Sequence, residues 1–312
     1  MRFLIVGAGG IGCYYGARLQ EAGHPVVYMA RGEHLKALQT SGLRVEHEDF
    51  QFQRPVTAVD EAALLKDYQV TDFDLLLICF KSQATAAWLE TFADWLKGGD
   101  TPLLSLQNGV DNEPLLAEVL GEERVLGGIA LRIGGHLDNP GEVSASGPAQ
   151  IVMGAWPEAG QPPRQQAFLE EVDHHFQQAG IPSRISHQIA LELWRKLMLN
   201  NAVNPLSALT HLDTQTLSHD SYYGPVVKGL MAEAGQVAAA EGLAIDSKDV
   251  EEMYDLICQF DGIKTSMLVD LEKGRPLELE GISGSLLQRA QKHQLTLPMT
   301  GLLYALLTRE NA

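Results

Sequence analysis

The chain has 312 residues, 45% of them hydrophobic, and carries 23 Lys+Arg against 40 Asp+Glu for a formal charge of −17. That length suits two domains with substantial cores, and the acidic excess repels nucleic acid and anionic membranes, so an anionic ligand needs a local cationic pocket. Three cysteines, Cys13, Cys79 and Cys258, lie in apolar neighbourhoods with no C-x-x-C pair, which suits a reduced, cytoplasmic chain.

The opening MRFLIVGAGGIGC mimics a short secretion signal, but its apolar run is brief, glycines interrupt it, and Arg18 and Glu21 follow closely. No run approaches the ~20 apolar residues that a membrane span needs. The first thirty residues read instead as strand, glycine turn, helix, strand: FLIV (3–6), GAGGIG (7–12), a helix to about Ala22 and PVVYM (25–29). Gly7, Gly9 and Gly12 form G-x-G-x-x-G, so the loop of Gly7, Ala8, Gly9, Gly10, Ile11 and Gly12 is a candidate cradle for the pyrophosphate of a dinucleotide at a helix N-terminus. The plain alternative is tight strand–helix packing.

At the end of the second strand the sequence reads YMARGEH. An acidic residue there would suit the ribose hydroxyls of NAD, whereas Arg31 suits a 2′-phosphate and favours NADP(H). An ordinary surface arginine is the alternative, and Glu33 stands close by. Further solid apolar runs, DLLLICF (74–80) and PLLSL (102–106), are each followed by a plausible helix, and this alternation predicts a doubly wound parallel α/β sheet. Lys81 and the pair Asn108-Gly109 fall at carboxyl ends of these strands, where ligands of such sheets collect. Each alone could be a solvated charge or a turn; together they are expected to line one crevice.

From about 124 to 154 the segments shorten to VLGGIALRI, GEVSAS and AQIVMGA, separated by turn-rich pieces, and predict an antiparallel portion appended to the sheet. A helix near 163–178 and a strand near 182–185 follow, and from His187 onward only helical periodicity is found. The expected organisation is a dinucleotide-binding domain, 1–186, and a helical substrate and catalytic domain, 187–312.

Within the helical part, RKLMLNNAVNP (195–205) sets polar groups among apolar ones. Residues four apart on a helix fall about 40° apart around its axis, so Lys196, Asn200 and Asn204 form one stripe. Burying them dry would cost roughly 1–3 kcal/mol per unsatisfied amide and more for an unpaired ammonium, so a polar partner or ligand is expected. Pro205 predicts a kink or break, which Asn204 could cap. In TSMLVDLEKGRPLELEGISG (265–284), Ser266 could cap a helix and Glu278 could face water. The histidines lack metal-ligand spacing, and no G-x-S-x-G turn occurs.

Taken together, these residues resemble the ketopantoate reductases (2-dehydropantoate 2-reductases) over nearly the whole chain. The likeness rests on GAGGIG, the arginine after strand two, K-S after strand four, QNG after strand five, K-L-x-x-N-x-x-x-N-P, and S-M-x-x-D with E-x-E-x-I-x-G near the end. It departs at Glu280 and Ser283, where members often read E-x-D-x-I-N-G, and in SQAT after Lys81. The resemblance implies a Rossmann-type sheet domain followed by an all-α domain, and NADPH-dependent reduction of a branched 2-oxo acid, 2-dehydropantoate, in pantothenate and coenzyme A biosynthesis. By position it makes Lys196 the catalytic lysine and Glu278 the acidic site residue. Asn200 and Asn204 become substrate contacts, Ser266 the carboxylate-binding serine, and Asn108 and Lys81 residues near nicotinamide and substrate.

Such a lysine would meet the charge growing on the carbonyl oxygen and deliver a proton, its proton affinity lowered by partial burial and restored by Glu278. The implied partner is a small 2-oxo acid, with neither nucleic acid nor membrane, and a homodimer is compatible with this reading. Two other readings stay open: a related dehydrogenase with another 2-oxo or 2-hydroxy acid, and a catalytically silent NADP-binding sensor.

Overall fold

The computed structural model describes residues 1–157, 163–260 and 262–310. The chain forms two compact units, Met1–Gln107 with Asn112–Ala190, and Asn108–Asp111 with Leu191–Ala312.

The first unit contains twelve strands among the described residues: β1 (Phe3–Val6), β2 (Val26–Met29), β3 (Leu43–His47), β4 (Phe50–Arg54), β5 (Thr57–Val59), β6 (Leu75–Ile78), β7 (Leu103–Ser105), β8 (Val125–Leu131), β9 (Gly134–Asn139), β10 (Glu142–Ser146), β11 (Gln150–Ala155) and β12 (Ser183–Ile185). Its helices are α1 (Gly10–Glu21), α2 (Gly32–Ser41), α3 (Glu61–Asp67), α4 (Thr85–Leu96), α5 (Asn112–Leu120) and α6 (Pro163–Gln178). Eight strands form one sheet in the order β12-β11-β8-β7-β6-β1-β2-β5. β1 pairs in parallel with both β2 and β6, and β6 with β7.

All four residues of β1 and of β6 are fully buried, which is why these strands read as unbroken apolar runs. Alternate residues feed separate cores on the two faces: Phe3, Ile5, Leu75 and Leu77 on one, Leu4, Val6, Leu76 and Ile78 on the other. Full burial of such side chains contributes roughly 1.5–3 kcal/mol each, and it fixes the strand ends from which the loops of interest emerge.

The antiparallel portion divides. β8 runs parallel to β7 and antiparallel to β11, so both extend the main sheet. The β9–β10 hairpin joins β3 and β4 in a second sheet of order β4-β3-β10-β9, with β10 parallel to β3. The burial patterns explain the split. β3 alternates buried and exposed residues and β9 has no fully buried residue, so these strands present one face to a core and cannot serve inside a sheet covered on both sides. β3, β4 and β5 are additions to the elements expected from sequence, since LRVEH, FQFQR and TAV carry few apolar residues.

The second unit is helical: α7 (Ile189–Thr210, its first two residues in the sheet unit), α8 (Thr214–His219), α9 (Tyr223–Ala240), α10 (Ser247–Cys258), α11 (Ser266–Glu272), α12 (Ser285–Lys292) and α13 (Pro298–Glu310). A π-helical turn, Glu280–Gly284, leads into α12. The expected break at Pro205 does not occur, because α7 runs unbroken through it to Thr210. Ala202, Val203, Leu206 and Ala208 around the proline are all buried, and that packing outweighs the one backbone hydrogen bond the ring removes. Among the described residues no helix is long and apolar enough to cross a membrane.

Candidate active site

In the sheet unit, each glycine of the loop after β1 has its own reason. Gly7 has φ +101°, and a Cβ there would stand 2.6 Å from the Phe80 amide nitrogen, so the turn admits no side chain. A Cβ at Gly10 would lie 2.3 Å from the Gly135 backbone in β9, and one at Gly12 would lie 2.3 Å from the Gly7 carbonyl oxygen. Both therefore serve close packing. Gly9 differs, since a Cβ there would meet nothing within 4 Å. The packing explanation thus fits Gly10 and Gly12 but leaves Gly9 as an opening over the loop.

The loop is tied down at both sides: the Ala8 amide donates to the Met29 carbonyl at 3.0 Å, and Cys13 N–H donates to Gly9 O at 2.8 Å, closing the first turn of α1. The preceding amides of Gly10, Ile11 and Gly12 have no intrahelical acceptor and carry the positive end of the helix dipole, an arrangement suited to an anion. Beneath the loop, burial raises the Cys13 thiol far above its ordinary value and pushes Cys79 up to about 12. Both are neutral packing groups.

Arg31 stands at the N-cap of α2, just beyond β2, its carbonyl accepting the Leu35 amide at 3.2 Å and its exposed side chain without a hydrogen-bond or ion-pair partner among the described residues. The neighbouring Glu33 lies 3.9 Å from Lys36, both highly exposed. His34, one turn further, accepts the Gly141 amide proton on Nδ1 at 3.0 Å, with Nε2 3.7 Å from Cys13 Sγ. Burial lowers its pKa, an effect partly offset by a bond to the Ala8 carbonyl. His34 therefore braces the glycine loop, a role sequence reasoning missed.

Lys81 follows β6, half-buried, at the start of a 3-10 turn. Gln107, buried after β7, donates to the Phe80 carbonyl at 3.0 Å and to Thr85 Oγ1 at 2.9 Å, and Thr85 donates to Asn112 Oδ1 at 2.9 Å. This network joins the loops after two neighbouring strands. The four residues between Gln107 and Asn112 belong to the helical unit.

In that helical unit α7 carries Lys196, Asn200 and Asn204 at the expected spacing. Lys196 and Asn200 are half-buried, and Asn204 is 4% exposed. Neither asparagine side chain has a hydrogen-bond partner among the described residues. Asn204 sits in the middle of an unbroken helix, so it does not cap one. Neither amide is among the fully buried polar atoms left without a partner, so both remain open to solvent and to a ligand's polar atoms.

Between the two lies Asn201, 1% exposed, which sequence reasoning passed over. Its amide donates to Thr300 Oγ1 at 3.1 Å, and its carbonyl oxygen accepts from Ser283 Oγ at 2.9 Å. Thr300 and Met299 amides in turn donate to Glu233 at 2.8 and 2.9 Å. This buried chain fixes α7 against α13 and against the π-helical turn that follows Glu278.

Asn108 and Glu278, 170 residues apart, are brought together: Asn108 Nδ2 donates to Glu278 Oε2 at 2.9 Å. Glu278 is half-buried and engaged, which answers the expectation that it simply faces water. Gly109, at φ +98°, supplies the turn after Asn108. Ser266 is exposed at the first position of α11, but the helix is capped by Thr265, whose Oγ1 accepts the Leu268 amide at 3.2 Å. The capping role expected for Ser266 belongs to its neighbour, leaving its hydroxyl beside the open amides of a helix start.

Comparison with known proteins places the chain in a family. The model of the family "Ketopantoate reductase PanE/ApbA" matches residues 3–158, and that of its C-terminal domain matches 188–311. A 2-dehydropantoate 2-reductase from Nostoc sp. is 29% identical over 97% of this chain and 93% of its own length. The crystal structure of 2-dehydropantoate 2-reductase from Geobacter metallireducens is 31% identical, covers 99% of this chain and 100% of its own, and superposes with a TM-score of 0.87. A D-mandelate dehydrogenase in complex with NADH and anilino(oxo)acetate shares the fold, with a TM-score of 0.88 at 21% identity over 100% of this chain and 98% of that one.

The glycine-loop sheet followed by a helical unit, with relatives of this kind, defines an oxidoreductase. More narrowly, the two family models together span most of the sequence, and the chain belongs to the ketopantoate reductase family.

Proposed function

We propose that the protein reduces a branched 2-oxo acid with NADPH, converting 2-dehydropantoate to pantoate in the cytoplasm as part of pantothenate and coenzyme A biosynthesis. In this reading residues 1–186 form the cofactor domain and 187–312 the substrate and catalytic domain. The observation that carries it is the Asn108–Glu278 hydrogen bond, a carboxylate held by an amide from a strand-end loop, in the same unit as the Lys196 stripe. The names of the relatives supply the substrate class.

The fit to a nicotinamide dinucleotide is supported by Gly9, whose missing side chain leaves open space, by the unengaged first-turn amides of α1, and by the unpartnered guanidinium of Arg31. Gly7 to Gly12 would hold the pyrophosphate, Arg31 the 2′-phosphate, and Lys81 and Asn108 the end nearer the nicotinamide. When bound, NADPH supplies the hydride for the ketone carbon. The Lys196 ammonium stabilises the charge that grows on the carbonyl oxygen and donates the proton that completes the alcohol. Glu278, its carboxylate oriented by Asn108, is the proposed acidic partner of that ammonium. Asn200 and Asn204 donate to the substrate's oxygens, and Ser266, with the open amides at the start of α11, receives its carboxylate.

Steady-state kinetics of the wild-type chain test this, with NADPH and NADH each paired with 2-dehydropantoate and 2-oxoisovalerate. The highest kcat/KM is expected for NADPH with 2-dehydropantoate. Tight NADPH binding without turnover of either oxo acid would refute the assignment and favour a nucleotide sensor.

A further inference from the structure

The segment Asn108–Asp111 is a short excursion whose two flanks are fastened elsewhere. Gln107 and Asn112 sit in the buried network around Thr85, with 4% and 2% exposure. Side chains three residues apart tie the segment into the helical unit, of which it is part. Asn108 reaches Glu278, and Asp111 Oδ1 accepts from Arg289 Nη2 at 2.5 Å. The first of these is the site; the second is a side chain on α12 with no place in the chemistry proposed above.

Arg289 is built as a fixed post. Its side chain is 20% exposed, and its other terminal nitrogen donates to Glu241, itself 15% exposed. Its guanidinium carbon stands 5.6 Å from the centroid of the Trp194 ring, on α7 two residues before Lys196. Glu241 is held in turn by His293, whose Nε2 lies 2.5 Å away, and faces Lys292 at 3.8 Å. Burial raises the proton affinity of Glu241, but the His293 hydrogen bond and the charges of Arg289 and Lys292 more than offset it, so the carboxyl lies below its ordinary value and stays ionised. A planar guanidinium locked between a carboxylate and an indole has little freedom left to lose when it takes a second carboxylate. Asp111, by contrast, is 43% exposed and depends on Arg289 for its placement.

We infer that Arg289, acting through Asp111, is a positioning residue that sets where Asn108 stands against Glu278. Four residues cannot swing freely when both ends of the segment are stapled and its last residue is gripped. The register of Asn108 is therefore defined by a charge-assisted bond, not by the Asn108–Glu278 contact alone. This rests on the reading above for its catalytic consequence, but its structural consequence can be measured without any substrate.

The test uses Asp111→Asn, which keeps the shape and removes the charge from a half-exposed position. Amide hydrogen exchange of the intact protein should show faster exchange confined to residues 106–113, with α7 and α12 unchanged. In kinetics with 2-dehydropantoate, kcat/KM should fall about tenfold while the NADPH Kd stays within about twofold, tenfold being about 1.4 kcal/mol. In an Asn108→Ala background the same substitution should have no further effect, since both act through one contact. Arg289→Lys should retain part of the wild-type kcat/KM, and Arg289→Met none of the positioning.

Unchanged exchange in Asp111→Asn would overturn the inference, whatever the enzyme's substrate. Additive losses in the double variant would overturn it as well. If the wild type turns over no oxo acid but exchange rises as expected, the positioning stands and the functional reading falls.

Discussion

The glycine loop of the sheet unit and the α7 stripe of the helical unit handle polar groups in opposite ways. In the loop Gly7 turns, Gly10 and Gly12 pack, and Gly9 stays open; in the proposed reading its missing side chains let backbone amides face the cofactor. The stripe does the reverse, keeping a lysine and two asparagines on a helix whose flanking residues Leu197, Ala202 and Val203 are buried. A backbone cradle tolerates many ligands of one charge, whereas side chains set on a helix recognise one shape. If the proposed roles hold, the contrast teaches that affinity for a cofactor and the choice of reaction are assigned to different kinds of residue and can be perturbed separately.

Several substitutions should break that division of labour or sharpen it. The largest effect belongs to Lys196→Met, which keeps much of the apolar stem and removes the charge. Loss of a positioned general acid costs ~10²–10⁴ in kcat, measured at saturating NADPH and oxo acid. A kcat within about threefold of wild type would make Lys196 a structural residue and return the chemistry to an unassigned group.

Next comes Arg31→Ala, expected to weaken NADPH by about tenfold or more and NADH hardly at all, because a guanidinium–phosphate bond contributes roughly 1.5–3 kcal/mol. Fluorescence titration with both cofactors separates the cases, and equal losses would show that Arg31 does not read the 2′-phosphate. Smaller still is Asn204→Ala. It should raise KM for the oxo acid several-fold, about 1 kcal/mol for one hydrogen bond, and leave NADPH affinity unchanged. Its thermal midpoint should fall only by the modest cost of lost packing at a 4% exposed position, since no hydrogen-bond partner of Asn204 is lost among the described residues. A clear drop in stability with normal KM would reveal a structural asparagine.

The smallest effect lies away from both sites. His24 and His175 pack edge to face, with centroids 4.9 Å apart, near the N-terminal amine. Burial first, then that amine's charge, lowers both pKa values from 6.5. A histidine depressed in the folded state is protonated more readily when unfolded, so stability is full above pH 6.5 and declines as pH falls through the lowered folded values. Denaturant midpoints on either side of pH 6.5 should show the decline, and His24→Gln with His175→Gln should flatten it. A stability that rises on acidification would reverse the sign and refute the account of this pair.

How far the sequence carried depended on whether a feature is local. β1, β6 and β7 are visible because burial on both faces demands unbroken apolar runs, and the α7 stripe is visible because a four-residue period needs only one helix. The separate sheet holding the β9–β10 hairpin was not legible, since its pairing with β3 joins residues about a hundred positions apart, as Glu142 with Arg44. The persistence of α7 through Pro205 depends on packing that a propensity argument omits. Asn201 looked like one more asparagine until Ser283 and Thr300 were seen beside it, and Asp111 with Arg289 spans 178 residues. Of the site, the residue types and their local spacing could be read, and family resemblance singled out Asn108 and Glu278 separately; their contact, across 170 residues, and its support could not be read.

Binding alone, with no oxo acid present, tests the division of labour most directly. NADPH should be titrated by calorimetry into wild type, Lys196→Met and Arg31→Ala side by side. Lys196→Met should bind NADPH within about twofold of wild type, while Arg31→Ala should bind about tenfold more weakly or worse. A Lys196→Met protein that is folded yet loses as much NADPH affinity as Arg31→Ala would contradict that division, because the stripe would then belong to the cofactor and not to the substrate.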